Sequence, residues 1–172
     1  MRSRVYIRPP EISDEYEFVI SARASVKLHK PWIVAPSNLL QFRAYLERMA
    51  RPGNAALLFC RRDNDQIVGV VNITNIVLGL FCSAYLGYYA FADHESQGFM
   101  REGLQAVTRH AFRSLKLHRL KANIQPSNTR SISLVNACGF SKEGYSPRYL
   151  KIGGCWRDHE RWAILCSRQN AA

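Results

Sequence analysis

The 172-residue chain has no C-x-x-C pair among its five cysteines, Cys60, Cys82, Cys138, Cys155 and Cys166. Their odd number and irregular spacing exclude a disulfide framework and give no zinc-ligand pattern. They read as small core residues in a reducing compartment. A long apolar run is also missing. Asn72, Asn75 and Gly79 interrupt the richest stretch, Val70 to Leu86, which excludes a membrane span. Arg8, Glu11 and Asp14 break up the N-terminal residues, so no signal-peptide core forms there. There is no internal repeat, low-complexity run or Walker-type glycine loop. These absences point to a cytoplasmic protein with no membrane partner and no bound metal.

Acidic residues are scarce. Thirteen Asp and Glu against 24 Lys and Arg leave a net charge of +11. Such an excess suits nucleic acid, an acidic cofactor or an acidic macromolecule. The basic residues, Arg61, Arg101, Arg109, Lys121 and Lys142 among them, are scattered, and no nucleic-acid motif accompanies them. With 47% apolar and 11% aromatic residues the chain has a globular composition, and residues 1–172 have the length of one domain.

Periodicity predicts a short first strand at Val5 and Ile7, ended by Pro9-Pro10. A helix follows with Ile12, Tyr16, Val19 and Ile20 on its inner face. A second helix, capped by Ser37, turns Leu39, Phe42, Leu46 and Met49 inward. Strands are expected at Ala55–Arg61, Gln66–Thr74 and Ser83–Ala92, the first two forming a hairpin. A long helix from Gly98 to Leu115, a strand at Arg119–Gln125 and a short helix at Asn128–Cys138 come next, the last stopped by Gly139. Two further strands lie between Phe140 and Cys166, joined around Gly153-Gly154. This order is α/β, with a mixed, mostly antiparallel sheet and a parallel step where a helix connects strands.

Two segments carry chemistry. From Tyr89 to Leu104 a strand runs into a polar turn, and Gly98 then opens the long helix. A helix start presents unpaired backbone N–H groups to a phosphate, and glycine permits close approach. The second segment is Pro126-Ser127-Asn128-Thr129-Arg130-Ser131, followed by Gly139-Phe140. On spacing alone, Ser127 and Asn128 are equally well read as helix caps.

Together the segments resemble the GNAT family of acyl-CoA-dependent N-acyltransferases. They match its motif A (strand, Q/R-x-x-G-x-G/A turn, helix) and its motif B (N-x-x-S/A, then G-F). The likeness is greater to the RimJ/RimL branch, which acetylates protein N-termini, and within it to the ribosomal-protein-alanine acetyltransferases. It is carried by Lys30-Pro31-Trp32, Ile67-Val68-Gly69-Val70, Tyr85-Leu86-Gly87-Tyr88, Gln97-Gly98-Phe99-Met100 with Glu102, Asn128 to Ser131, Gly139 to Tyr145 and Gly154 to His159.

The resemblance implies the GNAT fold: a twisted sheet, flanked by helices and splayed at a central parallel pair, with acetyl-CoA in the cleft. It implies that backbone amides of Gln97, Gly98, Phe99, Met100 and Arg101 hold the pyrophosphate. Tyr89, Ala90 and Phe91 would bond the pantetheine and polarise the thioester, with Asn128 and Ser131 completing the cofactor site. Motif A departs from the family at Glu95, the Gln/Arg position, and at Met100, the second small position. The tyrosine that many members place seven residues after the motif-B asparagine is Val135 here. Ser131 is therefore the expected donor to the CoA thiolate. Glu95, Glu102, Glu143, Asp158 and His94 are candidate proton acceptors, with Glu102 taken as the second catalytic residue. Trp32, Tyr145, Tyr149 and Trp156 are expected to border the acceptor. The expected partner is the N-terminal α-amine of a protein, ribosomal in the nearest branch, with the enzyme a monomer or homodimer that needs no stable nucleic-acid binding. The alternatives are a small-molecule or aminoacyl acceptor, and a non-catalytic nucleic-acid- or CoA-binding module.

Overall fold

The computed structural model describes residues 3–167. Its strands are β1 (Val5–Arg8), β2 (Ala55–Arg61), β3 (Ile67–Val77), β4 (Ser83–Ala90), β5 (Arg119–Ile124), β6 (Ser141–Ile152) and β7 (Cys155–Leu165). Its helices are α1 (Glu15–Ala24), α2 (Val26–His29), α3 (Leu39–Met49), α4 (Phe99–Arg113) and α5 (Thr129–Ala137). The strands form one sheet in the order β1-β2-β3-β4-β5-β7-β6. Every neighbouring pair is antiparallel except β4 and β5, which α4 connects in parallel.

β2 and β3 read as nearly continuous apolar runs because both of their faces are covered. On one face Phe59, Val71, Ile73, Leu86, Leu104, Val107, Leu120 and Val135 make the core beneath α4 and α5. On the other, Phe18, Val19, Phe42, Tyr45, Leu58, Val70 and Phe91 pack beneath α1 and α3. That second cluster draws no residue from β5, β6 or β7. The sheet face there lies outside the helical cover, and its side chains stay polar.

Several sequence expectations shift. α1 turns Phe18, Val19 and Ala22 inward, while Ile12, Tyr16 and Ile20 stand 55%, 66% and 67% exposed. The helix carries two overlapping apolar stripes. The one containing Phe18 is chosen because its ring packs against Phe42, Tyr45 and Phe91. Glu15 is buried with it, paired with Arg43 of α3. The cap of α3 is Asn38, whose side chain accepts from the Gln41 N–H, and not Ser37. β4 ends at Ala90, two residues early, where a 3₁₀ turn at Ala92–His94 begins to form. Of the cysteines only Cys60 is buried, and Cys155 is exposed. No described helix is long and apolar enough to cross a membrane.

Candidate active site

β4 and β5 pair from Ser83↔Arg119 to Leu86↔Ala122 and then part. The gap opens into a cavity of about 930 Å³, walled by α2 and the loop after it on one side and by the starts of α4 and α5 on the other. The parity of β4 decides which backbone groups face it. Phe91 N–H donates to the Val68 carbonyl of β3, so Tyr89, two residues away, also points its peptide groups at β3. Tyr88 and Ala90 turn theirs to the open edge. Of the expected trio of Tyr89, Ala90 and Phe91, only Ala90 turns its peptide groups to that edge. Phe91 is buried in the second core cluster, and Tyr89 is among the residues lining the cavity. The Tyr89 hydroxyl is buried with no hydrogen-bond partner among the described residues.

At the start of α4, Gly98 adopts φ +83°, the left-handed region that glycine enters freely, and places the first N–H groups of the helix at the cavity. Gly98, Met100 and Arg101 line it, whereas Gln97 and Phe99 do not. The Gln97 side chain bonds the Asp93 carbonyl, and Phe99 is buried beneath the guanidinium of Arg4. Asn128 caps α5 by accepting from the Ser131 N–H at 3.2 Å. Its oxygen is therefore engaged, and its NH₂ group remains as a donor toward the cavity it lines.

Ser131 Oγ lies 2.6 Å from the Tyr88 hydroxyl, a bond that links α5 to β4 across the splay. Burial pushes the Tyr88 phenol well above its ordinary value, so it stays protonated. Tyr88, which lines the cavity, is a residue that sequence reasoning did not place in the site. Val135, where a tyrosine was sought, is fully buried in the core.

The acidic candidates are all engaged. Glu102, the expected second catalytic residue, accepts from the backbone and side chain of Arg4 and from Ser3 and is not among the residues lining the cavity. Those bonds outweigh its burial and hold its carboxyl below the ordinary range. Glu143 pairs with Arg119, and Asp158 accepts from Tyr145 and the Arg148 N–H. Glu95 does line the cavity and is bound there by Arg130. That pairing accommodates an acid in the Gln/Arg position of motif A. Two imidazoles also line the cavity, His29 and His94. Burial lowers the pKa of both. His29 Nε2 sits 2.8 Å from the Ala90 carbonyl oxygen, which can only accept, so this nitrogen carries the proton.

Among the expected acceptor residues, Trp32 lines the cavity. Tyr145 does not; it is 49% exposed on β6 and bonded to Asp158. Trp156 stands 61% exposed near the β6–β7 turn. Tyr149 lines a second cavity of about 430 Å³ on the uncovered sheet face.

These parts fit an acyl-CoA. The open strand edge matches an amide-bearing chain, and the helix start matches a pyrophosphate. Lys27, Lys30, Arg101 and Arg130 line the cavity against the single acid Glu95. No cluster of three or more His, Cys, Asp or Glu among the described residues is placed to hold a metal ion.

Comparison with known proteins agrees with this geometry. The acetyltransferase (GNAT) domain profile matches residues 4–141. The chain is 28% identical over 169 residues to the probable N-acetyltransferase YjcK of Bacillus subtilis, covering 94% of this chain and 93% of that protein. It is 44% identical over 102 residues to the ribosomal protein uS5-alanine N-acetyltransferase of Escherichia coli, a match spanning 59% of this chain and 53% of that enzyme. The structure of Mycobacterium smegmatis RimJ in complex with CoA-disulfide superposes with a TM-score of 0.87 at 25% identity, over 98% of this chain and 85% of that one. A spermidine N(1)-acetyltransferase of Vibrio cholerae is also similar, at 24% identity over 169 residues, 98% of this chain and 96% of that enzyme. Profile, relatives and splayed sheet agree: the chain belongs to the GNAT family and is an N-acetyltransferase acting on amines.

Proposed function

We propose that the chain moves the acetyl group of acetyl-CoA to the N-terminal α-amine of a protein with a small first residue. The observation that carries this reading is the charge of the cavity: four cations and one acid, the acid itself paired with Arg130. Among the described residues that wall offers no unpaired carboxylate, either to hold the ammonium groups of a polyamine or to strip a proton from lysine. An α-amine, with a pKa of about 7.7–8.0 against about 10.4 for lysine, arrives partly neutral and needs no strong base. The similarity to the uS5-alanine enzyme supports the same acceptor class.

Acetyl-CoA supplies an activated thioester, and the chain's task is mostly positioning. The edge amides of Tyr88 and Ala90 hold the extended donor and face developing negative charge at the carbonyl. As the amine nitrogen bonds to the carbonyl carbon and the C–S bond breaks, Ser131 gives its proton to the leaving sulfur, Tyr88 passes its own to Ser131, and the proton shed by the amine returns to Tyr88 through water, so both hydroxyls end as they began. The buried neutral ring of His29 fixes the Ala90 carbonyl, so the strand edge keeps its register beside the loop bearing Trp32.

The test compares kcat/KM for two peptides of one sequence, each carrying a single lysine, one free and one blocked at the α-amine, with spermidine as a third acceptor. The free peptide is expected to react at least about a hundredfold faster than either competitor. Comparable rates on the blocked peptide, or preference for spermidine, would overturn the protein N-terminus as acceptor.

A further inference from the structure

The second cavity borders the first, and Asn123 of β5 lines both. Strand alternation and register place Tyr85, Gly87, Lys121, Asn123 and Arg161 on one face, the face that α1 and α3 leave uncovered beyond β4. Gly87 is exposed there, and a side chain at that position would meet open space, so the sheet surface between the two cavities is clear at this residue. The second cavity is basic. Its one carboxylate, Glu143, is taken by Arg119 at 2.5 Å. Lys121 and Arg161 also line it and form no ion pair with a described carboxylate. The Lys121 ammonium sits 5.2 Å from the centre of the Tyr85 ring. The Arg161 guanidinium lies over Gly144, which has no side chain to displace it. Leu80 and Phe81, both strongly exposed, form an apolar rim.

We infer that this second cavity is a subsite for an acidic side chain of the acceptor polypeptide, read by Lys121 and Arg161 a few residues after the reacting amine. The spacing sets the position. Tyr85, the register partner of Lys121, precedes Tyr88 by three residues, roughly 10 Å along the strand at about 3.3 Å per residue. An extended acceptor crosses that distance with about three residues, so the third or fourth residue reaches the two cations. The inference rests on the protein N-terminus as acceptor and adds a sequence preference to it.

The experiment measures kcat/KM for peptides that begin with alanine and carry Glu, Gln or Lys in turn at positions two to six, at low and high salt. The wild type is expected to prefer Glu over Lys at position three or four by roughly fivefold per cation engaged, with the preference shrinking in salt. The double charge reversal Lys121→Glu with Arg161→Glu should invert the ratio at that position. General damage to the fold lowers both peptides together and cannot invert it. Should the reversed protein be inactive, Lys121→Gln and Arg161→Gln, made singly, should each bring the ratio toward one. A wild-type ratio near one at every position, or a ratio unmoved by these changes, overturns the subsite while peptide acetylation stands. If small amines react and no peptide does, the acceptor reading fails, and the subsite with it.

Discussion

Tyr88 and Ser131 approach from opposite sides of the splay and meet at 2.6 Å, so the pair is the unit to test. A hydroxyl acting only on the leaving sulfur matters in the transition state and little in ground-state binding. Ser131→Ala and Tyr88→Phe are each expected to lower kcat by roughly a hundredfold while acetyl-CoA affinity stays within about twofold. Because one relay is broken in either case, the double variant should be little worse than the singles. Single-turnover rates check this, and losses that multiply would show two independent donors. Ser131 was legible because motif B names it. Tyr88 was not, since Tyr88 and Tyr89 are neighbours in the chain and only the register against β3 decides which one faces α5. The engagement of Glu102 was hidden for a similar reason. Its partners, Arg4 and Ser3, lie 98 and 99 residues away, and no local pattern announces them.

At the scale of elements, α4 carries the N–H groups proposed to hold the pyrophosphate, and its seat on the sheet fixes where they point. Gly103, fully inside, lets the helix settle on Phe59; a Cβ there would come within 2.5 Å of that ring. Gly69 of β3 does the same for Met100, which lines the active-site cavity. Helix propensity alone favours Gly103→Ala by about 1 kcal/mol. Overpacking a tight core contact costs about 1–3 kcal/mol, so the net expectation is destabilisation. A lower urea midpoint with an unchanged slope would agree, and a higher midpoint would show that Phe59 yields freely. The inner row of α4, with Leu104, Val107 and Ala111, was plain in the sequence because one apolar stripe dominates. In α1 two stripes compete, and the winner depends on aromatic partners from α3 and on Phe91, just beyond β4. The β2–β3 and β6–β7 hairpins were equally plain from their turns. The insertion of β7 between β5 and β6 has no local signature, because both strands alternate alike.

Across the whole molecule the sheet is two halves joined by four residue pairs of β4 and β5, with the cavity where the pairing stops. A ligand bound along both edges acts as a staple, and binding to the native state alone stabilises by mass action. Acetyl-CoA at a hundred times its Kd should contribute about 2.7 kcal/mol, which for a chain of this size is roughly 5–10 °C in Tm. The ion pair between Glu95 of the first half and Arg130 of the second crosses the mouth of the same cavity. With Arg130 present, the acid that departs from motif A is neutralised. Without it, a bare carboxylate faces the diphosphate. Arg130→Ala should therefore weaken acetyl-CoA binding by more than the loss of one exposed cation, about tenfold, and shrink the Tm shift accordingly. Adding Glu95→Gln to Arg130→Ala should recover part of the affinity, although the protein then has neither member of the pair. Titration of the three variants by calorimetry, with melting curves alongside, decides it. If the double variant binds no better than Arg130→Ala, the role of Arg130 is direct contact with the phosphates and Glu95 is a bystander.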